Sequence, residues 1–238
     1  MLLETVRGVV RPEFLRGLPG IPWWLFFFTW FALALDHLSL EFAASKHTHY
    51  HRSDMASWML MVWAMMLPML SGTVRWLQYQ MPKYLHVKAT LSMLAGYHLV
   101  WLVLGILFLL MQYFLLQLAP HLNENWLTPL AYLGAGLYVH STTRKKALMA
   151  CSAGMPLSIQ GWAVLRDALV FGIRRGVACA STCYPLMLAM MLTEHALWMM
   201  LLLTIILFYE RQRFPAKSFL LSATCYIVAT FYLFNGLI

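Results

Sequence analysis

Long apolar runs alternate with short polar connections along this chain. The runs fall at about residues 21–40, 56–72, 89–118, 126–143, 176–195, 196–209 and 218–237. Most approach the ~20 residues that an α-helix needs to cross the hydrocarbon core of a bilayer. The pattern predicts an all-α polytopic membrane helix bundle with about seven transmembrane helices. Residues 1–20 read differently. Arg7, Arg11 and Arg16 alternate there with Leu, Val and Phe before the turn Gly17-Leu18-Pro19-Gly20, which predicts a cytosolic interfacial segment. The connection 144–175 opens on Arg144-Lys145-Lys146 and then spaces Leu157, Trp162, Leu165, Leu169 and Ile173 as a surface helix would. Arg166, Asp167, Arg174 and Arg175 supply its polar part. Interfacial amphipathic helices therefore accompany the spans, and residues 21–238 form a single transmembrane domain.

Composition agrees with this pattern. The chain is 61% hydrophobic and only 11% charged, values of an integral membrane protein. A net charge of +8 raises the question of nucleic acid, but the basic residues are dispersed between apolar runs and form no basic face. Topology accounts for them instead. With the N-terminus in the cytoplasm, 15 of the 17 Lys and Arg residues fall on the cytosolic side, all but Lys46 and Arg52. The expected location is the bacterial inner membrane, crossed several times. The first long apolar run begins only near Ile21, so it is expected to remain as a helix rather than be cleaved as a signal peptide. Cys151, Cys179, Cys183 and Cys225 are spread over cytosolic and intramembrane positions, which argues against a disulfide framework.

Candidate chemistry concentrates in the run from Gly176 to His195. On a helix turning ~100° per residue, Cys179, Cys183, Met187, Met190 and Glu194 share an arc of about 80°, so thiols, thioethers and a carboxylate face one way. Soft ligands of that kind select Cu(I). Pro185 lies within the run and frees the carbonyl of Ser181, which predicts a kink beside the cysteines. In the second run Met55, Met59 and Met66 share one face and Met61, Met65 and Met69 another. Methionine also serves as a flexible filler between packed helices, and cysteine as a small buried hydrophobe.

The His-rich outer loop, 41–55, carries His47, His49 and His51, with Asp36, His37, Glu41 and Asp54 nearby. These groups suit Zn, Ni or Cu(II), the competing reading being a polar interfacial loop. His98 is expected to bond a neighbouring helix. Glu210 would either end the sixth run in solvent or pair with the Arg174-Arg175 group. Cys151 reads equally as one end of a metal path or as an inert or lipidated thiol. Nucleophile elbow, Walker A loop, HExxH and Rossmann glycines are all missing from the sequence, so no enzyme is expected.

An ordered set of blocks runs through residues 56–212. It comprises Trp58-Met59-Leu60-Met61-Val62-Trp63-Ala64-Met65-Met66-Leu67-Pro68-Met69, Gly96-Tyr97 with Val100-Trp101, and Gly134-Ala135-Gly136-Leu137-Tyr138. Gly176-x-x-Cys179-x-x-x-Cys183-Tyr184-x-Leu186-Met187, Trp198-Met199 and Glu210-Arg211 follow. In these blocks the chain resembles a bacterial family of predicted metal-binding integral membrane proteins of unknown function, some of whose members are labelled copper chaperones. It departs from the family pattern at Thr182 and near Ala147, where the family carries cysteine. The resemblance implies a multi-spanning inner-membrane protein that handles metal.

Residues and resemblance together favour a protein that binds copper as Cu(I) and takes it up, relays it or delivers it across the inner membrane. The partners expected are the lipid bilayer and a copper enzyme or the subunits of a respiratory or oxygenase complex, and no nucleic acid. The alternative is a non-catalytic membrane subunit or assembly factor of such a complex.

Overall fold

A computed structural model describes residues 26–33, 35, 55–118, 124–158, 161–191, 197–213 and 219–237. The described residues contain helices and no strand. A helical stretch at 26–33 precedes α1 (Met55–Tyr79), a 3-10 turn (Lys83–Leu85), α2 (His86–Leu118), α3 (Glu124–Val139), α4 (Thr142–Ser152), α5 (Ala163–Met191), α6 (Leu197–Arg213) and α7 (Phe219–Leu237). The segment 1–20 and the loop bearing His47, His49 and His51 lie outside the described residues.

α1 and α5 each contain an internal proline, Pro68 and Pro185. A proline inside a helix leaves the carbonyl four residues back without its usual donor, and a strongly apolar setting offers little water to replace it. A neighbouring side chain fills the gap in both helices. Trp30 Nε1 donates to the Ala64 carbonyl at 3.2 Å, and the Tyr138 hydroxyl donates to the Ser181 carbonyl at 2.6 Å. The carbonyl that the sequence marked as freed by Pro185 thus ties α3 to α5.

The longest helices, α2 with 33 residues and α5 with 29, form the most extensive interface. Three glycines let them meet backbone to backbone. A Cβ at Gly96 would run into the Leu169 carbonyl, one at Gly172 into the Met93 carbonyl, and one at Gly176 into the Val100 side chain. Gly172 and Gly176, four residues apart, make a small-x-x-x-small seam. The Ser92 hydroxyl, donating to the Leu165 carbonyl at 2.7 Å, closes the same seam lower down.

The connection 144–175 is not a separate surface helix. Ser141 caps α4 by accepting from the Arg144 amide at 3.1 Å, and α4 stops at Ser152. After Gly161, whose φ of 67° is left-handed, α5 starts at Ala163 and continues unbroken through Gly176 to Met191. Arg166, Asp167, Arg174 and Arg175 interrupt the apolar pattern but not the helix, because arginine is a good helix former. The hydroxyl and amide of Ser158 donate to Asp167 and hold its carboxyl below the usual range, which anchors the start of α5.

Among the described residues two helices are long and apolar enough to cross a membrane, over Trp58–Tyr79 and Lys83–Phe114, and Phe219–Phe234 is a shorter apolar one. The first is 72% buried inside the protein and the second only 33%. α1 is accordingly the centre of the core. Its Trp58, Met61, Met65 and Met66 are fully buried, and Trp58 Nε1 donates to the Trp101 carbonyl at 2.9 Å. α2 turns Leu99, Val103, Ile106, Leu107 and Leu110 outward.

Candidate metal centre

The thiols of Cys179 and Cys183 lie one helical turn apart on α5, 3% and 4% exposed. Their neighbours are sulfur and hydroxyl. Cys179 Sγ donates to Met66 Sδ at 3.6 Å and accepts from the Tyr97 hydroxyl at 3.2 Å, so α1, α2 and α5 converge on one sulfur atom. Thr182 Oγ1 lies 3.5 Å from Cys183 Sγ.

Beside the thiols is a cavity of about 20 Å³, lined by Cys151, Cys179, Cys183, Met69, Arg144 and Arg211 among others. That volume admits one water molecule or one ion. Glu210 also reaches its wall, where Arg144 grips it in a fork: Nη1 to Oε1 at 2.8 Å and Nη2 to Oε2 at 2.6 Å. Arg144 Nε donates as well to the Thr182 carbonyl at 3.3 Å, between the two cysteines in sequence. Arg144 is 1% exposed, so the pair is a desolvated, bidentate one. Glu210 therefore pairs with Arg144, not with Arg174-Arg175, because α4 and α6 meet at the cavity. Burial pushes the Cys151 thiol above its ordinary range, opposed by the charge of Arg211.

Contacts set the direction of the helices around the site. Trp76 packs on Phe171 and Met66 on Cys179, so α1 and α5 run antiparallel. Met59, ~10 Å along α1 from Met66, then falls at about the height of Met187, ~12 Å along α5 from Cys179. Met187 and Met190 are fully buried, and Met59 is half-buried. Met55 lies ~16 Å along α1 from Met66, near Gly105 and Trp58, and is remote from the cysteines.

Of the residues chosen from sequence, Cys179, Cys183 and Met66 are brought together; His47, His49, His51 and Glu194 lie outside the described residues. Among the described residues no three His, Cys, Asp or Glu side chains are placed to hold a metal ion. Sequence reasoning missed Met69 and left Cys151 open, although both line the cavity. Met69 follows Met66 by three residues, only ~60° round the helix, a neighbour that its assignment to another face obscured. His98 bonds within its own helix, Nδ1 to the Leu94 carbonyl at 2.6 Å, and packs edge-on to Trp63. All four cysteines are free thiols.

The fold and the site define an all-helical, strongly apolar protein that gathers thiols and thioethers in its core, the ligand chemistry of a soft monovalent metal. The family is shown by comparison: a family model described as PpoB2, copper chaperone, matches residues 55–234, and the chain belongs to that family. The match begins where α1 begins and reaches into α7. No curated protein and no solved structure matches the chain.

Proposed function

We propose that this protein binds Cu(I) between Cys179 and Cys183 and carries it within or across the bacterial inner membrane, as a carrier and not as an enzyme. The contact of Cys179 with Met66 beside a cavity the size of one ion carries this reading. Thiolate and thioether are both soft, and Cu(I) tolerates low coordination numbers, so two thiols suffice to hold it. Membership of a copper chaperone family supports the choice of metal.

Met66 is the first relay ligand. Met59 and Met187 at the next height, then Met190 and Met55, extend a column of thioethers towards the end of the bundle where His47, His49, His51 and Glu194 would collect or release the ion. The histidines would also accept Zn or Ni. Membrane association is supported by the outward apolar face of α2, which soluble proteins rarely leave open to water, and about seven crossings with a cytoplasmic N-terminus by the apolar runs and the basic connections between them. A copper enzyme or an oxidase or oxygenase subunit would take the ion onward.

The test is anaerobic titration of the detergent-purified chain with Cu(I) against a soft chelator. Stoichiometric binding that is lost in the Cys179→Ser, Cys183→Ser variant is expected; equal binding by that variant removes the site.

A further inference from the structure

The cavity beside Cys179 and Cys183 is bordered by positive charge as well as by sulfur. Arg175 precedes Cys179 by one turn of α5, is 6% exposed, and among the described residues has no hydrogen-bond partner for Nε or Nη1. Its guanidinium stacks over the Phe171 ring at 5.1 Å and lies within electrostatic reach of Cys151, Cys179 and Arg211. Arg211 lines the cavity and donates to the Cys151 carbonyl at 3.4 Å. Arg144 is different, since its charge is taken by both oxygens of Glu210. Among the described residues two cations therefore remain beside the thiols, with the carboxylate at the cavity wall already engaged.

A buried guanidinium with unpaired N–H groups is costly until an anion is placed beside it. Neutral thiols do not supply that anion, but a metal–thiolate complex does, because each thiol gives up its proton when it binds. Charge then counts the ligands. Two thiolates around Cu(I) carry one net negative charge, which leaves one arginine uncompensated. Three thiolates around Cu(I) carry two, equal and opposite to Arg175 and Arg211 together.

Resting on the copper reading above, we propose that Cys151 completes a three-thiolate Cu(I) site with Cys179 and Cys183, with Arg175 and Arg211 as its counter-ions. In the binding step the three S–H protons pass to solvent, three sulfur–copper bonds form, and neither copper nor sulfur changes oxidation state. The thiols share one cavity wall without yet meeting, and sulfur–metal bonds are short, ~2.3 Å in zinc thiolate sites. Cys151, at the C-terminal end of α4 beside the non-helical stretch 153–158, is the ligand that moves inward.

Two measurements on the full-length protein in detergent, under anaerobic conditions, test this. In weakly buffered solution near neutral pH, uptake of Cu(I) is expected to release about three protons per ion in the wild type and about two in Cys151→Ser. Release of two by both proteins overturns the three-thiolate site while leaving Cu(I) binding at Cys179 and Cys183 intact. If the wild type takes up no Cu(I), the copper reading itself has failed. Arg175→Gln is expected to weaken Cu(I) binding at least about tenfold, and Arg175→Lys, which keeps the charge, to restore most of it. Unchanged affinity in a folded Arg175→Gln protein, or equal loss in the lysine variant, overturns the counter-ion role.

Discussion

Breaking the Arg144–Glu210 pair is the sharpest perturbation that the structure offers away from the cysteines themselves. The side chains are 1% and 8% exposed and are joined by two charge-assisted hydrogen bonds of 2.8 and 2.6 Å. Arginine does not shed its proton at any accessible pH, so Glu210→Gln strands a full positive charge in the wall of the cavity. Removing one partner of a buried pair costs ~3–5 kcal/mol, whereas replacing both with apolar groups of similar volume is often neutral. Glu210→Gln, Glu210→Met and Arg144→Met are therefore expected to destabilise the protein by ~3–5 kcal/mol each, the two methionine variants being the single corners of the cycle. The double variant Arg144→Met, Glu210→Met should lie ~2 kcal/mol or more closer to the wild type than the sum of the single losses. The assay is reversible unfolding in mixed micelles by added denaturing detergent, read by tryptophan fluorescence and analysed as a double-mutant cycle. Single losses under ~1 kcal/mol, the worth of an exposed ion pair, would refute the claim that this pair is desolvated. Strict additivity of the two losses would show that the residues do not act on one another.

Other positions give independent checks. Gly172→Ala drives a Cβ into the Met93 carbonyl and is expected to cost ~1–3 kcal/mol, while Gly134→Ala on α3, with no atom near its Cβ position, should be neutral or stabilising by up to ~1 kcal/mol. Comparing their unfolding midpoints tests the α2–α5 seam, and equal effects would deny it. Tyr138→Phe leaves the Ser181 carbonyl beside Pro185 without its donor; a loss of ~0.5–1.5 kcal/mol is expected in the same assay, and none if that bond is idle. Met66→Leu preserves volume and should leave stability within ~1.5 kcal/mol. It should nonetheless slow the transfer of Cu(I) from the bound site to an external chelator, and an unchanged transfer rate would remove Met66 from the path.

Much of this architecture is legible in the amino-acid order, for reasons that also mark where legibility stops. The apolar runs gave the helical class, and a four-residue spacing gave the Cys179–Cys183 face, because both follow from the pitch of one helix. The Ser181 carbonyl freed by Pro185 follows from backbone covalent structure in the same way, and Tyr138 does occupy it. What depends on two segments meeting was not readable. Arg144 begins a basic triplet that reads as a cytosolic anchor, yet it is buried because Glu210 approaches from a helix more than sixty residues away. Cys151 and Met69 look like an isolated thiol and a packing thioether until α1, α4 and α5 bring them to one wall. The continuation of α5 back to Ala163 was obscured because charged residues break hydrophobic periodicity without breaking helical hydrogen bonding.

The most direct test of copper held by Cys179 and Cys183 is X-ray absorption at the copper edge on the Cu(I)-loaded protein. The expected spectrum has sulfur as the nearest shell, and the Cys179→Ser, Cys183→Ser variant is expected to lose the bound copper and with it that thiolate shell. A nearest shell of nitrogen or oxygen in the wild type, or a copper content and sulfur shell left unchanged by the double substitution, would contradict the account.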